Sequence, residues 1–370
     1  MPKAVIIGAG IAGLAAGIAL KRAGWKVEVI ERAARIEPLG AALSLWPNAC
    51  AALTSLGIAE SVTEVAAPIR SMLLADNRGR HIIDRKIPGP ALLITRAALQ
   101  GALIDELGSG DLRLGCAADD IDARGIVTLG DGSTIAGDLI VDGGGIRAPS
   151  LRAIAPRYAG YAGVLALSEP VGVSCLDGLA AEYWGDSERF GVFELPGRRR
   201  YWFYMRSQAS DAPMPSLADC LDRAAGWPSS IGEAISATRE ERLTPFAVHT
   251  NAPPRSLSDR RVVRVGDAAH AMEPNLGQGA CQGLEDAAAL HAVARTTAPE
   301  HVGSTYERLR LRRARMIIQE SSRARFGIHS PAMVQKTVRA ILRAIPRRLS
   351  ERAISQMQTM PDYAAAVRNG

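Results

Sequence analysis

No two cysteines of this chain suggest a pair. The five present, Cys50, Cys116, Cys175, Cys220 and Cys281, are odd in number and scattered, with neither CxxC nor CxxH spacing. That argues against a disulfide framework or a zinc site and for a reducing compartment. No stretch reaches the roughly 18 uninterrupted apolar residues of a membrane span, so no integral membrane segment is expected. Internal repeats and low-complexity tracts are missing too. The net charge is +6, and much of the excess falls late, at Arg308, Arg310, Arg312, Arg313, Arg315, Arg323 and Arg325, then Arg347, Arg348 and Arg352. Such a balance raises nucleic acid or an anionic membrane surface as partners. However, no aromatic stacking platform accompanies these arginines, and Glu307, Glu320 and Glu351 are interleaved with them. A solvated basic helix face and no nucleic-acid partner is the favoured reading.

What is present is a folded-protein composition, 47% hydrophobic and 22% charged over 370 residues. That length exceeds the roughly 250 to 300 residues at which single cores stop growing, so two domains are expected. The apolar opening MPKAVIIGAGIAGLAAGIAL could be taken for a secretory signal. Its glycines at fixed offsets, its continuation through Lys21 and Arg22, and a second strand ending in an acid favour a structural element and a cytoplasmic protein.

Residues 3–7 read as a short strand, followed by Gly8-Ala9-Gly10-Ile11-Ala12-Gly13, an Ala/Leu-rich helix, Gly24 as its cap, and a strand from Trp25 to Ile30. Glu31 then stands 18 residues beyond Gly13. This is a βαβ dinucleotide fingerprint: Gly8 makes the turn, Gly10 admits the pyrophosphate, Gly13 lets the helix pack closely, and Glu31 accepts from ribose hydroxyls. A second strand-loop-helix lies at VVRVGDAAHAMEPNLGQGACQGLED, residues 262–286. Val262, Val263 and Val265 form its strand and Gly266 ends it. Pro274, Gly277 and Gly279 keep side chains out of the loop, so backbone N–H groups and a helix start can face a flat or anionic ligand.

Between these ends, EPLGAALSLWPNACAALTSLGI gives a glycine-bearing loop and a helix from Pro47-Asn48, and residues 69–94 give short strands turning at Asn77-Arg78-Gly79. A helix begins at Thr95, strands lie near 112–118 and 125–129, and Asp131-Gly132 makes a hairpin. Residues 157–250 carry most of the aromatics in strand-like pieces. By alternation Tyr201, Phe203 and Met205 share one face, and Trp202, Tyr204 and Arg206 the other. Residues 216–237 are helical, and the C-terminal part is helical with breaks at Pro331 and Pro346.

Taken together, GAGIAGLAAGIAL with Glu31-Arg32, GAALSLWPNA, TRAALQGAL with Arg96, and VGDAAHAMEPNLGQGACQGLEDA resemble the single-component flavoprotein monooxygenases of the para-hydroxybenzoate hydroxylase type, which include salicylate hydroxylases, zeaxanthin epoxidase and FAD-dependent urate hydroxylases. The resemblance implies an α/β fold, with a Rossmann-like FAD-binding domain from residues 1–70, 96–156 and 257–330. An interleaved antiparallel sheet from 71–95 and 157–256 would bind substrate, and residues 331–370 would add C-terminal helices. It implies tightly held FAD, NAD(P)H as co-substrate, O2 as oxidant, and hydroxylation or epoxidation of a small apolar or aromatic metabolite through a flavin C4a-hydroperoxide. Gly8, Gly10, Ala12 and Gly13 would approach the pyrophosphate and Glu31 the ribose, with Arg32, Ala42, Arg96 and Ala118 along the cofactor. Asp267 would reach its middle, and Gly277, Gln278, Gly279 and Ala280 its isoalloxazine. Pro274 and Gly277 would shape the reactive end. Arg189 matches a basic strand residue that faces substrate in urate hydroxylases.

One motif departs from the family. Asp142-Gly143-Gly144-Gly145 stands where Gly-Ala-Asp-Gly is usual, and this puts reduction by NAD(P)H in question. Asp142 could supply the carboxylate by a small shift. With Trp184, Phe193, Trp202 and Tyr204 nearby, the cavity is expected to favour an apolar or aromatic substrate, with Arg189 or Arg206 for any anion. His249 and His270 have no evident carboxylate partner. Competing readings are an oxidase or dehydrogenase that does not use nicotinamide, and a catalytically weak flavin-binding interaction protein. No metal is expected. A monomer or weak homodimer is, because the extra C-terminal domain of some larger relatives does not follow.

Overall fold

The computed structural model describes residues 1–36, 41–172 and 176–368. Cys175 and the Glu37 to Gly40 part of the glycine-bearing stretch fall outside them.

The apolar run Lys3–Ile7 is the centre of a six-stranded sheet. It lies parallel to Lys26–Ile30 on one side and Leu139–Asp142 on the other. Leu112–Arg113 and Val262–Arg264 extend the parallel set, and Ser258–Asp259 closes one edge antiparallel. Central parallel strands are covered on both faces, which is why these segments read as unbroken apolar runs. The cover on one face is the helix Ile11–Arg22 with the helix Gly279–Ala294. Their close approach needs small residues: a Cβ on Gly283 would lie 2.9 Å from the Ala12 Cβ, and one on Gly266 2.6 Å from it. The two terminal motifs, over 250 residues apart in sequence, are therefore packed against each other.

A seven-stranded sheet forms the second layer, in the order Thr244–Thr250, Arg157–Leu167, Arg199–Ser207, Glu188–Leu195, Leu179–Trp184, Ser71–Asp76 and His81–Lys86. It is antiparallel except where Leu179–Trp184 runs parallel to Ser71–Asp76. Leu92–Thr95 instead joins Ala42–Leu45 and Ala67–Pro68 in a small separate sheet. The turn at Gly79 and the hairpin near Gly132 form as expected, both with positive φ at glycine.

The helix expected at Thr95 spans Arg96–Leu107, with the Thr95 hydroxyl accepting from the Ala98 N–H. The helix Pro299–His329 then crosses both layers, and Pro331 and Pro346 end or start the shorter helices after it. The arginines of the long helix are not uniformly solvated: Arg310 is fully buried and the Arg313 side chain is 9% exposed. Cys50, Cys116, Cys220 and Cys281 are buried free thiols. Among the described residues there is no helix long and apolar enough to cross a membrane and no cluster able to hold a metal.

Candidate flavin and substrate site

The turn after the first strand is shaped for backbone contact. Gly8 has φ +93°, and a Cβ there would meet the Gly143 carbonyl oxygen at 2.7 Å. A Cβ on Gly13 would overlap the Gly8 carbonyl oxygen, so the helix can start this close to the strand only with glycine. Gly10 has open space where its Cβ would be, and as the N-cap it offers no side chain to the first helical N–H groups. Those donors are free for an anion. Glu31 is held at the end of the second strand, its carboxylate accepting from the Ala9 N–H at 2.8 Å and the Ala33 N–H at 3.0 Å. Arg32 is exposed beside it, and Arg96 is half-buried at the first turn of its helix. Ala118 begins a strand of a separate three-stranded sheet, two residues after Cys116, whose N–H donates to the Glu31 carbonyl.

The second loop lines up with the first. Gly266, at φ +59°, turns the chain so that Asp267 is exposed at the start of the helix Asp267–His270, with Ala268 and Ala269 buried behind it. A short 3-10 turn, Pro274–Leu276, then delivers Gly277 in the left-handed region, exposed. A Cβ at Gly277 would lie 2.9 Å from the Trp46 indole nitrogen, a buried donor that has no hydrogen-bond partner. Gly279 and Ala280 open the 16-residue helix, which has no side-chain cap. Ala42 is buried on the neighbouring strand.

Behind the loop sits a polar network that no single motif announced. Gln278 turns its side chain inward, accepting from Asn48 Nδ2 at 2.9 Å, so only its backbone faces the loop. Glu285 accepts from Asn48, Gln282, Arg310, Arg313 and Tyr363. Burial would raise the Glu285 carboxyl, but Arg310 and Arg313 hold it below its ordinary value. Asp286 takes the Gly266 N–H at 2.8 Å, His270 Nε2 at 2.6 Å and Arg310 Nε at 2.8 Å. For Asp286 burial is likewise outweighed, here by His270 and Arg310, and the carboxyl is held down at about 2. His270 thus has the carboxylate partner that sequence alone did not reveal. Its role is structural, fixing the backbone that presents Asp267.

The sheet supplies the opposite wall. Alternation puts Arg189 and Phe193 with Tyr201, Phe203 and Tyr161 on the face that meets Asn275. The Arg189 Nη2 donates to Asn275 Oδ1 at 3.0 Å, and the Tyr161 hydroxyl lies 3.1 Å from the same oxygen, its single proton shared with Glu273. Trp202 and Tyr204 lie on the other face with Phe190, in the core under the helices Leu217–Ala224 and Ser229–Ser236, and do not line the cavity. Arg206 is also on that rear side, bonded to Gln208 and the Pro213 carbonyl, so it cannot reach a substrate at Asn275. Trp184 packs toward Gly327 and Ile328. Among the described residues His249 bonds the Ala247 carbonyl through Nδ1. Asp142 does not supply an outward carboxylate either. It is fully buried and caps the Gly144 and Ser150 N–H groups at 3.0 and 2.9 Å.

A family model described as an FAD binding domain matches residues 2–106 and 127–321. The chain belongs to that family. Its cofactor is FAD, and the glycine turn, uncapped helix starts and unpartnered Trp46 donor fit that group. The chain is 33% identical over 306 residues to the aurachin C monooxygenase/isomerase of Stigmatella aurantiaca, covering 77% of this chain and 79% of that one. It is 31% identical over 321 residues to an FAD-dependent urate hydroxylase of Klebsiella pneumoniae, covering 80% and 82%. The solved structure of Klebsiella pneumoniae HpxO with FAD and uric acid superposes with TM-score 0.85 at 27% identity, covering 96% of this chain and 95% of that one. A salicylate hydroxylase substrate complex has TM-score 0.78 at 23% identity over 97% and 98%, a likeness of fold. FAD-dependent monooxygenase is the enzyme class.

Proposed function

We propose that this FAD monooxygenase uses NAD(P)H and O2 to hydroxylate or epoxidise an aromatic or heterocyclic metabolite held between the Pro274–Gly279 loop and the Arg189 face of the sheet. The observation that carries the reading is convergence. Asn275, next to Pro274, is bonded to both Arg189 and Tyr161, so the loop at the flavin's reactive end and the sheet wall share one residue. Bound FAD supplies the redox chemistry and the activation of O2. The chain's part is placement. Gly10 and the uncapped N–H groups after it take the pyrophosphate, Glu31 the ribose, and Asp267 the middle of the cofactor. The Gly279 helix start would offer backbone donors to negative charge on the flavin ring. Pro274, Phe193 and Phe203 exclude water from the space between loop and sheet. In this reading residues 1–70, 96–156 and 257–330 serve the cofactor, 71–95 and 157–256 serve the substrate, and the helices of 331–370 brace both.

The inward turn of Asp142 gives a specific reason to test the reductant. The purified holoenzyme should be mixed anaerobically with NADH or NADPH, with and without aromatic candidates, while flavin bleaching near the visible absorbance maximum is followed. Reduction by a nicotinamide, accelerated by a ring compound, is expected. Flavin that is bleached by the organic substrate but by neither nicotinamide would replace this reading with an oxidase or dehydrogenase.

A further inference from the structure

The substrate wall is charge-compensated before any ligand reaches it. Arg189 is 2% exposed, and its Nη1 donates to Glu182 Oε1 at 3.0 Å while Nη2 is taken by Asn275. Its guanidinium carbon lies 5.3 Å from the centre of the Phe203 ring, and only its Nε–H has no partner. Glu182 is fixed in turn by the Trp184 indole N–H at 2.6 Å. A second carboxylate stands across Asn275. Glu273, 4% exposed, accepts from the Tyr161 hydroxyl at 3.1 Å and from Asn275 Nδ2 at 2.9 Å, and its cation Arg325 is 3.8 Å away. His329, stacked on Tyr161 at 4.0 Å, adds no charge near neutral pH, because burial and the nearby Arg189 push its imidazole down to about 3. Around Asn275, the front of the sheet therefore holds the buried Arg189 between two carboxylates. It also holds a free donor: the Tyr201 hydroxyl has no partner among the described residues, and burial keeps it protonated.

We propose that Glu182 sets the charge of the substrate: by pairing with Arg189 it makes the cavity select uncharged aromatic or heteroaromatic rings carrying a hydrogen-bond acceptor, and disfavour carboxylates. An anion entering here would lose its hydration and find the buried Arg189 already shared with a carboxylate. A neutral carbonyl or ring heteroatom needs only donors, and the Arg189 Nε–H and Tyr201 O–H are available to it. The inference rests on the aromatic-substrate reading above and adds the substrate's charge.

The test uses FAD-loaded protein and matched neutral and anionic probes, salicylamide against salicylate and 4-hydroxyquinoline-2-carboxamide against its carboxylate, at a pH where both acids are ionised. Kd is read from perturbation of the flavin spectrum, without turnover. In the wild type the amide should bind about tenfold or more tighter than the acid of at least one pair. Glu182→Gln keeps an acceptor for Arg189 and removes the charge. It should leave the amide Kd nearly unchanged and tighten the acid by about tenfold, the scale of one charge removed at close range. Acids that bind the wild type as tightly as their amides in both pairs, or an amide-to-acid ratio that Glu182→Gln leaves unaltered, would overturn the proposal. Should the variant lose FAD, the wild-type ratio decides alone. Preference for the acid leaves the aromatic-substrate reading standing, whereas binding of neither member of either pair removes that reading and this one with it.

Discussion

The two faces of the seven-stranded sheet are built from the same strands by the same alternation, yet they are covered differently. On the rear face Phe190 stacks on Tyr204 at 4.5 Å, Trp202 donates to Thr238 at 2.9 Å, and Tyr204 donates to Glu188 at 2.7 Å. Trp202 and Tyr204 are thus partnered, although Arg200 on the same face keeps a buried Nε and Nη2 without a partner. On the front face the Arg189 Nε–H and His329 Nε2 are buried without one, the Tyr201 hydroxyl is free, and the Trp46 indole across the loop is free too. Buried polar groups are nearly always satisfied, so the unsatisfied ones that converge on the Asn275 loop fit a place that a ligand would complete. Neither hydrophobicity nor the number of open hydrogen-bonding groups separates the faces; what covers each of them does.

The comparison can be broken at several points. Phe190→Ala on the rear face should cost about 3–5 kcal/mol, as large aromatic truncations in closed cores do. In denaturant titrations Phe203→Ala on the front should cost clearly less and instead weaken ligand binding; equal stability losses would mean the front is as closed as the rear. Arg310→Met should also cost about 3–5 kcal/mol, because Glu285 and Asp286 would lose their common buried partner. A melting temperature close to wild type would show that Arg313 and His270 suffice. Tyr204→Phe should cost about 1–3 kcal/mol by removing a buried donor from Glu188.

His329 supplies a pH test. Its folded pKa is depressed to about 3, so below its unfolded value the unfolded chain binds the extra proton. The associated stability is present above roughly pH 6.5 and falls with pH toward 3, with a slope of at most about 1.4 kcal/mol per unit. His329→Gln should flatten that part of the stability-against-pH curve. The smallest effect is expected for Tyr201→Phe, within about 0.5 kcal/mol in stability, since its hydroxyl bonds nothing among the described residues, but with ligand Kd weakened several-fold. Holding Tyr201→Phe against Tyr204→Phe isolates the difference between the faces at the level of one oxygen.

What the sequence determined by itself was whatever depends on local rules. The steric demands at Gly8, Gly13 and Gly266, the cap at Thr95, the proline breaks, and the alternation along residues 199–207 are each settled within a few residues. The flavin half of the site is made largely of backbone, so it was legible as glycine spacing. The substrate half is made of side chains, and there reading stopped at two faces without saying which was which. That choice depends on what covers each side: the helices of residues 217–236 close the rear, while the Asn275 loop and the long helix meet the front. Glu182, Asn275, Tyr161, Glu273 and His329 enter the site this way, as do the inward turn of Asp142 and the burial of Arg310 among acids. Separations of 86 residues from Arg189 to Asn275 and 112 from Tyr161 to Glu273 lie beyond any periodicity. Only tertiary packing brings those charges together, and packing decided that Arg189 is already paired.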